Sequence, residues 1–198
     1  MGNVSADKDK LAGNGEVGAR LRRLRKARHM TLRQVSEATG LAVSTLSKAE
    51  LGQTALSYAK FARLAQALDF DMTSLFVRDR GGAEQPRPVA LKDSLDDVQH
   101  YVTGTYDFSL IFGEYPAKRM KPMVARIDAR DVSEFDDYIR HPGQEFAIVL
   151  SGKLRISFES GESIVLARHE TAYFDSGVGH VYLSLSRCPA RVLVVCCD

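Results

Sequence analysis

The chain has 198 residues, 44% of them hydrophobic and 26% charged, and a formal net charge of +2. Such a composition fits an ordinary soluble chain of one or two domains. No apolar run approaches the roughly 18 residues of a membrane span, and three cysteines crowded near the end suggest no disulfide framework.

The opening stretch MGNVSADKDKLAGNGE lacks the apolar core of a signal peptide, so a cytoplasmic protein is expected, with residues 1–14 as a disordered tail. Residues 1–80 carry 14 Lys/Arg against 8 Asp/Glu, and residues 81–198 carry 13 against 17. A basic half joined to an acidic half suggests a polyanion-binding module followed by a different kind of domain.

Helical spacing dominates the first part. Val17, Leu21 and Leu24 recur at i, i+4 and i+7, and Phe61, Leu64, Ala65 and Leu68 repeat the pattern. Thr31 is an N-cap for LRQVSEAT, which Gly40 stops. Ser44 opens STLSKAEL, Ser57 caps YAKFARLAQAL, and DMTSLF makes a short fifth helix. Ser36 is small where the second and third helices are expected to cross. Glycines, prolines and charges over 79–97 then read as a linker.

Past the linker the period changes to two. KLRISF places Leu154, Ile156 and Phe158 on one face, and HVYLSL sets Val181 and Leu183 opposite His180, Tyr182 and Ser184. RVLVVC is apolar throughout, as in a strand buried on both faces. Short strands between turn residues indicate an all-β sandwich or small barrel. The fold class is therefore α+β in two domains, at 15–78 and 98–198.

Within the first domain, TLRQVSEATGLAVSTLSKAELG resembles the helix-turn-helix of the phage-repressor-like (XRE, Cro/C1-type) family, with the motif over about 31–50. That resemblance implies a five-helix, λ-repressor-like domain whose second motif helix lies in the DNA major groove. Carried over by position, Val43, Ser44, Ser47 and Lys48 face the bases, while Thr31, Arg33, Thr45 and Gln53 hold phosphates. Arg25 and Glu50 occupy the positions of a structural ion pair. The partner implied is double-stranded DNA carrying a near-palindromic site, bound by a homodimer.

In HPGQEFAIVLSG, residues 141–152, strand-like segments flank a Pro-Gly turn and set His141 opposite Glu145 in a hairpin. The segment resembles the first cupin motif through His141, Glu145 and Gly152, and YFDSGVGH resembles the second through His180. Ile139 stands where the family has another histidine. The resemblance implies a double-stranded β-helix (jelly-roll) barrel. Three readings of the site stay open. His141, Glu145 and His180 hold Fe, Zn or Ni; those residues with Tyr182 bind an organic ligand; or His141 and Glu145 merely bond to each other. Cys196 and Cys197, adjacent on a strand and so on opposite faces, are expected to be packing residues rather than a redox switch.

Helix-turn-helix followed by cupin resembles a class of regulators in which the barrel senses a small molecule and adjusts DNA affinity. An iron-dependent phosphonate epoxidase shares that order and is the alternative. The cation-rich helical face, with nothing specific to grip a phosphonate, points away from an enzyme.

Overall fold

The computed structural model describes residues 14–70, 75, 89–113, 115 and 118–197. Four α-helices lie among them, α1 (Asn14–Ala27), α2 (Leu32–Thr39), α3 (Val43–Glu50) and α4 (Tyr58–Ala67). The expected fifth helix falls outside the described residues apart from Leu75, which is fully buried. Residues 79–88 of the expected linker also lie outside them. No described helix is long and apolar enough to cross a membrane.

Local chemistry sets the helix ends. Thr31 and Gln34 form a reciprocal capping box at the start of α2. Gly40 ends α2 at φ 69°, a left-handed conformation that costs glycine nothing. Two caps differ from expectation. Helix α3 starts at Val43, behind Ala42, so Ser44 lies inside the helix, and Ser57 makes no capping bond.

Helices α1 and α3 are held together twice. Arg25 Nε and Nη2 donate to the two oxygens of Glu50 at 2.5 and 2.8 Å, a bidentate, largely buried pair. Gly18 makes the closest approach, because a Cβ there would lie 2.2 Å from Ala49 O. Ser36 instead closes the α2–α3 corner by donating to Leu41 O at 2.6 Å.

Among the described residues, nine strands form two antiparallel sheets. They are β1 (Gln99–Val102), β2 (Tyr106–Leu110), β3 (Met120–Ile127), β4 (Gln144–Ser151), β5 (Leu154–Phe158), β6 (Ser163–Leu166), β7 (Thr171–Asp175), β8 (His180–Ser184) and β9 (Ala190–Cys197). The six-stranded sheet runs β1-β2-β3-β9-β4-β7, and the three-stranded sheet runs β6-β5-β8. Alternation places Ala125, Val192, Val194, Ala147 and Val149 on the buried face of the larger sheet, toward Ile156 and Tyr182.

Three strand expectations change. Strand β9 is buried on one face only, since Leu193, Val195 and Cys197 are half-buried beside exposed Phe146, Tyr173 and Met120. The strand buried on both faces is β8. Residues 135–140 form no hairpin arm; they contribute a single bridge, Ile139 to His180.

Helix α4 packs directly on the larger sheet. Tyr58 and Phe108 rings lie 4.9 Å apart, Phe61 meets Tyr101 edge-on at 5.2 Å, and Tyr101 Oη donates to Leu56 O at 2.5 Å. Lys60 pairs with Asp136 at 2.5 Å.

Gly18→Ala tests the α1–α3 contact. Alanine gains about 1 kcal/mol of helix propensity over glycine, but overpacking costs about 1–3 kcal/mol and the obstacle here is rigid backbone. Urea unfolding should give a net loss of roughly 1–2 kcal/mol; a variant as stable as the parent refutes the close approach.

Candidate functional site

The residues expected to contact DNA belong to the start of α2, to α3 and to the turn after it. Leu46, Ala49 and Glu50 turn α3 inward, which leaves Val43, Ser44 and Lys48 exposed and Thr45 and Ser47 half-buried. Thr31, Arg33 and Gln53 are exposed around it. Thr31 spends its hydroxyl on the capping box, and Arg33 pairs with Glu37 at 3.1 Å in full solvent, a weak tie.

The second cluster sits between the sheets. Glu145, on β4, is 2% exposed with its side chain on the buried face. Its Oε2 lies 2.9 Å from His141 Nε2, 3.5 Å from His180 Nε2 and 3.5 Å from Cys196 Sγ. Tyr182 Oη donates to Oε1. His141 reaches the site from the loop before β4, where its backbone N–H donates to Ser176 O at 3.0 Å. The His141–Glu145 contact therefore forms without the expected hairpin.

Both imidazoles are oriented from behind. His180 Nδ1 lies 2.9 Å from Val178 O and His141 Nδ1 lies 3.3 Å from Pro142 O. A carbonyl oxygen only accepts, so each Nδ1 carries a proton and each Nε2 turns toward the carboxylate. A bare Nε2 opposite a carboxylate sets lone pairs against each other. Protons or a metal ion must intervene, and backbone-oriented imidazoles are the usual arrangement of metal-binding histidines.

Burial alone would push the Glu145 carboxyl up, yet hydrogen bonds from His141 and His180 hold it well below the usual carboxylate range. Burial first, then the Glu145 charge, raises the Tyr182 phenol well above its ordinary value, so it remains a neutral donor. The structure thus brings together His141, Glu145, His180 and Tyr182, and it adds Cys196. His141, Glu145 and Cys196 donor atoms all lie within 4.8 Å of one another. The expectation that Cys196 only packs is corrected: β9 pairs with β4 so that Cys196 stands opposite Glu145 on the buried face.

The helix-turn-helix domain family matches residues 16–75, and the cupin domain family matches residues 131–196. The chain joins a helix-turn-helix domain to a cupin domain. No curated protein matches the sequence. Among solved structures, an HTH_3 family transcriptional regulator from Vibrio cholerae aligns at 17% identity with a TM-score of 0.67, covering 94% of this chain and 97% of that one. Hydroxypropylphosphonic acid epoxidase from S. wedmorenis aligns at 16% identity with a TM-score of 0.48, covering 93% and 98%.

The expectation that the chain is not an enzyme is corrected by the site itself. The physical reason lies in the cluster, whose two imidazoles, carboxylate and phenol form a donor set that sensing and catalysis can share.

Tyr182→Phe removes a donor from a buried carboxylate. A loss of about 1–3 kcal/mol in urea unfolding is expected. Unchanged stability shows that Oε1 finds another partner at no cost.

Proposed function

We propose that this helix-turn-helix–cupin chain is a sequence-specific DNA-binding transcriptional regulator whose cupin cluster senses a metal ion or small molecule. The observation that carries the reading is the outward set Ser44, Ser47 and Lys48 on an α3 anchored by Arg25–Glu50. Lys48 is suited to guanine O6 or N7, the serines to base edges or phosphates, and Val43 to a thymine methyl. Thr31, Arg33, Thr45 and Gln53 hold phosphates and so fix register without reading sequence. We place the DNA-binding domain at 15–78 and the cupin at 98–198, reading its two sheets as the walls of a jelly-roll barrel.

One such domain reads only a few base pairs, so the functional unit is a homodimer on a near-palindrome, its half-sites about one helical turn apart. In the cupin, His141, Glu145 and His180 hold Fe, Zn or Ni, and the ion neutralises the carboxylate that those imidazoles face. The cluster also connects to the helices. Tyr106 Oη accepts from Tyr182 N at 2.7 Å, Tyr106 stacks edge-on against Phe108, and Phe108 meets Tyr58 of α4.

A second reading is supported by the same convergence of His141, Glu145, His180 and Tyr182. In it the cluster holds iron and catalyses oxidation of a small substrate. Oxygen uptake on mixing the Fe(II)-loaded chain with candidate phosphonates supports that reading.

Two outcomes follow for the regulator. Lys48→Ala should lose about 1–3 kcal/mol of discrimination at particular base positions of a selected operator; an equal loss on every sequence means Lys48 touches phosphate only. Operator affinity in gel shifts should differ between zinc-loaded and chelator-treated protein by roughly 5–150-fold, and Tyr106→Phe should shrink that difference. Equal affinities in both states contradict metal sensing.

A further inference from the structure

We propose that Cys196 is a thiolate ligand in this centre, beside His141 and Glu145, supplying the donor lost where Ile139 replaces a histidine. The inference rests on the metal reading of the cluster and goes beyond it by naming the ligand and the class of ion.

Register places the thiol there. Strands β4 and β9 pair so that Glu145 and Cys196 are direct partners on the buried face. Ile139 is 3% exposed and belongs to the apolar core, so its position offers no donor. Cys196 is 4% exposed, and its Sγ lies 3.5 Å from Glu145 Oε2 and 3.9 Å from His141 Nε2. The remaining side of that triangle, His141 Nε2 to Glu145 Oε2, is 2.9 Å.

Metal–ligand bonds of about 2.0–2.3 Å in a tetrahedron put neighbouring donors roughly 3.3–3.6 Å apart. The three observed separations bracket that range, so adjustments of a few tenths of an ångström close the site round one ion. His180 Nε2 lies 3.5 Å from the same Oε2 but outside this three-residue group, so it joins the ion only by a larger shift. Binding exchanges the thiol proton for a metal–sulfur bond and the Nε2 proton of each ligating imidazole for a metal–nitrogen bond, the protons leaving to solvent.

The donor chemistry then selects the ion. Two imidazoles with a carboxylate and open positions suit non-haem iron, whereas a thiolate added to them favours zinc and similar borderline or soft ions over magnesium or calcium. Cys197, the next residue, faces the opposite side of the sheet and takes no part.

Cobalt(II) is the probe, titrated into the full chain under reducing conditions. Visible d–d bands should appear together with a near-ultraviolet sulfur-to-cobalt charge-transfer band. Both should persist in a Cys188→Ala/Cys197→Ala variant, which leaves Cys196 as the sole thiol. In Cys196→Ala the charge-transfer band should vanish while the d–d bands remain. Zinc affinity should fall at least about tenfold there, since loss of even an outer partner of a ligand costs that much. Cobalt bound by the parent protein with d–d bands and no charge-transfer band overturns the thiolate ligand and leaves the metal site standing. Failure of the parent to bind cobalt or zinc overturns both.

Discussion

A carboxylate enclosed between two sheets costs several kcal/mol unless positive charge or hydrogen-bond donors meet it. Glu145 is in that position, and the organisation of the cupin half can be read as the answer. Tyr182 covers one oxygen from β8, while His141 and His180 converge on the other from the loop before β4 and the head of β8. These groups come from opposite sheets, so the cluster is also a clamp across the interior. Replacing it with packed apolar residues would hold the sheets together as well or better. That a charged cluster stands there points to use rather than to stability.

The helical half is organised round a different buried charge. Arg25 meets Glu50 with both forks engaged and spends a third N–H on Met30 O. The contact fixes α3 relative to α1 from behind, while Gly18 lets the two backbones nearly touch. A helix held this rigidly on its inner side can leave Ser44, Ser47 and Lys48 with no internal task. Function on that face therefore requires no strain elsewhere in the domain.

Much of this was legible from local pattern. Helix positions, the Thr31 cap and the left-handed Gly40 follow from spacing and side-chain chemistry within a few residues. The alternation in KLRISF was readable for the same reason. What could not be read depends on register between distant strands. Glu145 and Cys196 are 51 residues apart, and nothing in RVLVVCC tells which residue of β4 each cysteine opposes. A period-two reading does put Cys196 on the face of Val192 and Val194. That was the available signal, but it was outweighed by the apolar character of the whole run. The hairpin at His141 failed because EFDDYIR looks strand-like yet finds no neighbour beyond the Ile139 bridge. Gly18 was missed because a small residue signals close packing only once its partner helix is known.

The two halves meet in direct contact where α4 packs on the larger sheet. Tyr182 touches the cluster through its hydroxyl and Tyr106 through its backbone, and from Tyr106 the rings of Phe108 and Tyr58 lead to α4. Contiguity alone does not make a switch; an element along the route must have two arrangements that the ligand distinguishes. The Tyr182–Glu145 bond is the natural candidate. A cation held at Oε2 would draw charge from the carboxylate and weaken the acceptor on Oε1, and a displaced phenol would move the backbone to which Tyr106 is bonded. Such an event would reach the helices by relaxing one hydrogen bond, without opening the sheets.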